Sequence, residues 1–143
     1  MRVMLDTNIL ISPIYKPQSV PALAYYKASS PDNDLVLCDQ ILDELRRIFN
    51  RKFPAYIPRL ERFLSIAQYE LIQTDQADIP DQTEAKIRDV KDRPIYRAAM
   101  KAHIDYFVTD DNDFLMSGVA SENRNRPAIF HHVKWLIWHL SLG

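Results

Sequence analysis

The chain has 143 residues, a formal net charge of −1 and a single cysteine. A domain of this length folds around its own core without disulfides or a structural metal, and one cysteine excludes an internal disulfide framework. A protein that holds nucleic acid by phosphate contacts alone is usually basic, so the distribution of charge along this chain matters more than its sum.

The N-terminus does not read as a leader or an anchor. Asp6 interrupts the first apolar stretch, and no later stretch is long enough to cross a membrane. We therefore expect a cytoplasmic protein in which Cys38 is buried as a small apolar side chain.

Short apolar segments alternate with helical patterns along the whole chain. This pattern predicts one domain over residues 1–143. The predicted strands, in chain order, are residues 3–5, 34–38, 69–72, 106–109 and 128–130. The predicted helices, in chain order, are residues 21–28, 40–51, a segment beginning at prolines 54 and 58, 93–102 and 133–140. Prolines 13, 17 and 21 predict a loop before the first helix, and Asp39 is expected to cap the second. This alternation indicates an α/β fold with a mainly parallel sheet.

Aspartates directly follow two of the predicted strands. Asp6 follows the first, and Asp110, Asp111 and Asp113 follow the fourth. If these strands are parallel neighbours, their carboxyl ends bring both groups to one edge of the sheet. Any one of these aspartates alone is explained more simply as a cap of a turn or helix.

The helix over residues 40–51 offers a further carboxylate. Its apolar stripe centres between Leu45 and Phe49, which turns Asp43 toward solvent and places Glu44 at the margin, where it reaches over the sheet edge. The alternative is an exposed pair of Glu44 with Arg47, worth about 0.3 kcal/mol.

Asp92 opens the next-to-last predicted helix, in line with the core-facing Ile95, Tyr96 and Ala99. A carboxylate among core-facing positions is costly unless its charge is compensated. Capping of the helix ahead of Pro94 explains the same residue.

Four segments thus direct carboxylates toward one region. Such groups repel one another without cations, and hard oxygen ligands suit Mg²⁺ or Mn²⁺. The four histidines are expected to have surface or packing roles, with His103 and His139 in helices and His131 beside His132.

The ordered set of motifs LDTNIL, ILDELRRIF, DRPIYRAAM and YFVTDDNDFL resembles the PIN-domain nucleases. The resemblance is greatest to prokaryotic PIN proteins regarded as toxin components of toxin–antitoxin pairs. It runs from Arg2 to the last helix and implies a three-layer α/β/α sandwich with a short parallel sheet.

The resemblance also implies a site. The catalytic and metal-binding carboxylates would be Asp6, Glu44, Asp92, Asp111 and Asp113, and the supporting polar residues would be Thr7, Asn8, Thr109 and Asp110. Two positions depart from the family pattern. Asp110 replaces a small glycine, which leaves open whether Asp110 or Asp111 is the ligand, and the histidine pair at 131–132 replaces a Thr-Pro-like segment.

The implied function is hydrolysis of RNA phosphodiester bonds with one or two Mg²⁺ or Mn²⁺ ions, by the toxin of a pair that includes an antitoxin protein. A homodimer is expected by family likeness. Basic residues that would contact flanking phosphates are Arg47, Arg51, Lys52, Arg124 and Arg126, although solvated surface charge explains each of them equally well.

Two other classes of protein are alternatives, a non-catalytic PIN module and a phosphatase or receiver-like α/β domain. A non-catalytic PIN module would use the fold to bind RNA or protein, and the complete carboxylate set argues against it. A phosphatase of the haloacid-dehalogenase type would need a second aspartate two residues after Asp6, where Asn8 stands. A receiver-like domain would need a phospho-accepting aspartate and a distant lysine that the chain does not supply convincingly.

Overall fold

A computed structural model of the chain describes residues 1–74, 90–111, 115, 128–132 and 134–136. The sequence-based predictions for Asp113, Arg124, Arg126, His139 and most of the last helix lie outside the described residues. Residues 132 and 134–136 are helical, in agreement with the predicted start of that helix.

The described strands form one parallel sheet. The strands are β1 (Arg2–Leu5), β2 (Asp34–Cys38), β3 (Glu70–Ile72), β4 (Tyr106–Thr109) and β5 (Ala128–His131). Their order across the sheet is β3-β2-β1-β4-β5, and every neighbouring pair is parallel. β1 therefore lies in the middle, with β2 on one side and β4 on the other, so residues that follow these three strands gather at one edge.

Five helices accompany the sheet among the described residues. They are α1 (Thr7–Tyr15), α2 (Val20–Ala28), α3 (Asp39–Lys52), α4 (Ile57–Ile66) and α5 (Arg93–Lys101). Short 3-10 turns precede α4 and α5, at Pro54–Tyr56 and Val90–Asp92.

The strand order assigns these helices to two layers. Steps from β1 to β2 and from β2 to β3 run in one direction, and the step from β3 to β4 runs back across the sheet. Because such crossovers are right-handed, α1 to α4 cover one face and α5 covers the other. The mutual contacts of α1, α2, α3 and α4 agree with a single layer. The predicted three-layer α/β/α sandwich is confirmed.

Apolar side chains from both layers close over the sheet. The largest that are fully buried include Trp135, Tyr96, Phe49 and Phe107. Cys38 is buried as predicted, and burial raises the pKa of its thiol to about 12. A thiol of this kind is inert at neutral pH.

The loop predicted at prolines 13 to 21 is partly wrong, because α1 contains Pro13 in its interior. A proline there removes one intrahelical hydrogen bond. Ile9, Leu10 and Ile14 on this helix are nearly or fully buried, and their burial offsets that cost. The loop is confined to the few residues between α1 and α2.

The prediction that Asp39 caps α3 from outside the helix is wrong. Cys38 occupies the capping position and Asp39 is the first helical residue. Its Oδ1 accepts hydrogen bonds from the backbone and the hydroxyl of Thr74, both 2.8 Å, and from the backbone of Gln40 at 2.9 Å. Burial alone would raise the pKa of Asp39, but these hydrogen bonds outweigh it and lower the pKa.

The prediction that His103 lies in a helix is also wrong. His103 follows the end of α5 with a φ of 54°. Its N–H donates to the Met100 carbonyl, and the N–H of the buried Ile104 donates to the Ala99 carbonyl. These two bonds form a Schellman cap, in which His103 takes the left-handed conformation that usually favours glycine.

Candidate functional site

The carboxyl ends of β1 and β4 bring Asp6 and Thr109 together. Asp6 follows β1, and its backbone N–H donates to the Val108 carbonyl of β4 at 3.0 Å. Thr109, the last residue of β4, is fully buried and its hydroxyl donates to Oδ2 of Asp6 at 2.7 Å. The parallel pairing predicted from the sequence therefore produces the expected neighbourhood.

Asp6 is a buried carboxylate held from two directions. Only 6% of it is exposed, and its Oδ1 accepts the Thr7 N–H at 2.8 Å. Burial, together with the negative charges of Asp111 and Glu44, raises the pKa of Asp6 to about 6 in spite of the hydrogen bonds from Thr109 and Thr7. The charges of Asp111 and Glu44 thus oppose the ionisation of Asp6.

Thr7 links Asp6 to Glu44. While its N–H binds Asp6, its buried hydroxyl donates to Oε2 of Glu44 at 3.1 Å. Glu44 is half-buried on α3 and Asp43 is exposed, so the helical-wheel placement of both residues is confirmed.

Asp110 and Asp111 point to different partners. The exposed Asp110 accepts the side-chain amide of Asn8 at 3.3 Å. Asp111 is half-buried, its N–H donates to the Thr109 hydroxyl at 2.9 Å, and its charge acts on Asp6. Asp111, and not Asp110, therefore shares the Thr109 hydroxyl with Asp6.

Asp92 lies in a groove between α3 and the start of α5. The α3–α5 groove has a volume of about 570 Å³ and is lined by Gln40, Glu44, Arg47, Ile48, Arg51, Lys91, Asp92 and Pro94. Asp92 stands at the capping position of α5, but its side chain makes no capping hydrogen bond there. The simple capping role considered from the sequence is therefore absent.

The groove divides the basic residues named from the sequence. Arg47 and Arg51 line it, whereas Lys52 is exposed on the same helix and does not. Sequence reasoning missed Lys91 and Gln40. Gln40 precedes Glu44 by four residues, which places both on one side of α3, and this spacing is the signal that would have identified it.

The histidine pair lies beside the site. His131 pairs with Thr109 in the β4–β5 register, and the rings of His131 and His132 are 4.1 Å apart. His132 is 9% exposed, and burial lowers its pKa, as does His131, against the opposing effect of Asp110. The packing role expected for this pair agrees with the burial of His132.

The fit of a divalent cation rests on the chemistry of these donors. Among the described residues, no three histidine, cysteine, aspartate or glutamate side chains converge on one point as ready ligands. The buried Asp6 nevertheless faces two further carboxylates that raise its pKa, and a cation relieves such repulsion. Carboxylate oxygens are the ligands that Mg²⁺ and Mn²⁺ prefer, so the donor set fits these ions.

The fold and the site define a parallel α/β domain with interacting carboxylates at the carboxyl edge of its sheet. Residues 2–113 match the PIN domain family. The chain belongs to the PIN-domain family, as the sequence motifs indicated. No curated protein matches the chain significantly.

Three solved structures share this fold. VapBC2 from Rickettsia felis, bound to a DNA fragment from its promoter, gives a TM-score of 0.62 at 18% identity. FitAcB from Neisseria gonorrhoeae gives 0.59 at 17%, and DNA-bound VapBC from Salmonella typhimurium gives 0.61 at 16%. Each match covers 92% of this chain and 98% of the other. Within the described residues, no helix is long and apolar enough to span a membrane.

Proposed function

We propose that the protein is a Mg²⁺- or Mn²⁺-dependent endoribonuclease of the cytoplasm. The observation that carries this proposal is the hydrogen-bonded row of residues at the carboxyl edge, in which Thr7 joins Glu44 to Asp6 and Thr109 joins Asp6 to the backbone of Asp111. A structural role alone does not explain why a PIN domain keeps a buried carboxylate whose ionisation is opposed by two others.

The chain's own residues would hold the cation and position the RNA. Asp6, Glu44 and Asp111 supply the central carboxylates, with Asp92 across the α3–α5 groove and Asp113 as a further candidate from the family pattern. A bound divalent cation lowers the pKa of an attacking water and stabilises charge on the phosphate.

Thr7 and Thr109 keep the central carboxylates in place. The Thr7 hydroxyl donates to Glu44, and Asp6 is held on both oxygens, by the Thr109 hydroxyl and the Thr7 N–H, so these oxygens stay aligned while the substrate changes charge. Neither threonine needs to touch the substrate.

Arg47 and Arg51 would contact RNA phosphates that flank the scissile bond. They line the same groove as Glu44 and Asp92, so a strand lying there passes from basic to acidic side chains. Phosphate contacts of this kind position the chain without reading its sequence.

The test of the catalytic proposal is cleavage of a mixed single-stranded RNA pool in Mn²⁺, with EDTA as the blank. Asp6→Asn keeps the shape of the side chain but removes its charge, so we expect cleavage to fall by at least about 100-fold. Asp43→Asn is the matched control, because Asp43 is exposed on the same helix as Glu44. Equal cleavage by Asp6→Asn and wild type, or cleavage that persists in EDTA, contradicts the proposal; absence of any cleavage favours a non-catalytic binding module.

We further propose that the protein is the toxin of a toxin–antitoxin pair. The sequence resembles PIN toxins, and the similar VapBC2 and VapBC structures contain DNA.

Co-expression with the product of the neighbouring reading frame tests the partner. The Asp6→Asn variant serves as bait because loss of toxicity permits high expression. We expect the two proteins to co-purify, and light scattering on the complex to give a mass that contains two copies of this chain. Separate elution at micromolar concentration would indicate a stand-alone nuclease.

A further inference from the structure

Gln40 joins the first turn of α3 to the segment that carries Asp92. Its side-chain Nε2 donates to the backbone carbonyl of Lys91 at 2.5 Å. The two residues are 51 positions apart, so this bond connects the helix after β2 to the 3-10 turn before α5.

The bond lies beside Glu44 and Asp92, two carboxylates of the site. Glu44 is one helical turn after Gln40, and Asp92 directly follows Lys91. All four residues line the α3–α5 groove. One face of α3 therefore carries the Glu44 carboxylate and the Gln40 amide. That amide binds the backbone next to Asp92, across the groove.

Asp92 lies in a short segment whose backbone Gln40 can restrain. It is the last residue of the 3-10 turn Val90–Asp92, directly before α5. Carbonyl and amide groups that fix the backbone of a ligand commonly alter metal affinity without touching the metal.

We propose that Gln40 is a positioning residue that sets the distance of Asp92 from Glu44 across the groove. This inference rests on the proposed metal-dependent function. Gln40 acts through the Lys91 carbonyl, so its loss lets the start of α5 move away from α3 while every carboxylate of the site remains.

Mn²⁺ affinity, measured by calorimetry on the full-length protein, tests the inference. Gln40→Leu removes the amide donor without adding a charge to the groove, and we expect about tenfold weaker binding. Asp43→Asn, on the exposed side of α3, should bind as wild type does.

A double-mutant cycle with Asp92→Asn separates positioning from a general structural effect. If Gln40 acts through Asp92, Gln40→Leu weakens binding by about tenfold in the wild-type background and by less than about twofold in Asp92→Asn. Additive losses, or wild-type affinity in Gln40→Leu, would overturn the inference while leaving the proposed function intact. Absence of Mn²⁺ binding by the wild type would overturn both.

Discussion

Two threonines determine how the carboxylates are arranged at the residue scale. Thr7 gives its N–H to Asp6 and its hydroxyl to Glu44, and Thr109 gives its hydroxyl to Asp6 while accepting the N–H of Asp111. Each threonine is buried, so these bonds are shielded from water and hold their partners firmly. The carboxylates provide the negative charge of the site, and the threonines fix the positions of Asp6 and Glu44.

The sequence predicts some of these residues better than others. Glu44 is separable from Asp43 because a helical wheel distinguishes adjacent positions. Asp110 and Asp111 are not separable in this way, since both follow a strand in a segment without periodicity. The spacing of Gln40 from Glu44 places it on the same side of α3, but the sequence does not reveal its partner, which is a backbone carbonyl 51 residues away.

At the element scale, α3 carries both acidic and basic side chains of the site. Glu44 accepts the Thr7 hydroxyl beside Asp6, while Arg47 and Arg51 extend the same flank along the groove. The short spacing from β2 to this flank follows from α3 beginning directly after Cys38. A single helix thus supplies one carboxylate of the site and the basic side chains next to it.

This arrangement predicts a salt-dependent effect on RNA binding. Arg47→Ala and Arg51→Ala should each raise KM severalfold with little change in kcat, and each lost phosphate contact should reduce the slope of log affinity against log salt by about 0.7. Lys52→Ala is the matched control, since Lys52 is exposed on the same helix outside the groove. Equal effects of all three substitutions would mean that the groove does not bind the RNA backbone.

The predicted elements agree with the structure wherever periodicity dominates, as in α3 and the strands. α1 was missed because Pro13 normally ends a helix, whereas here the burial of Ile9 and Ile14 overrides local propensity. Asp39 was misplaced for a different reason. Its hydrogen bonds come from Thr74, and a contact over 35 residues leaves no local pattern.

At the scale of the whole molecule, the sheet converts separate segments into one site. β1 and β4 are neighbours although more than 100 residues separate Arg2 from Tyr106, and their pairing places Asp6 against Thr109. Burial of Asp6 at this edge opposes the ionisation of its carboxylate. Ionised Asp6 therefore lowers the free energy of unfolding, and this loss can be measured.

Without metal, the free energy of unfolding of the wild type should fall as the pH rises from about 4 to about 6. The reason is that the folded protein retains a proton on Asp6, whose pKa is raised from 3.8 to about 6, while the unfolded chain has released it. The loss should be on the order of 2–3 kcal/mol relative to Asp6→Asn, which does not titrate at this position. Urea unfolding in EDTA at several pH values measures the difference, and adding Mn²⁺ at pH 7 to 100 times its Kd should return about 2.7 kcal/mol to the wild type only. Parallel pH profiles for the two proteins would show that the ionisation of Asp6 is not opposed in the folded state. Equal stabilisation of both by Mn²⁺ would show that Asp6 is not a cation ligand.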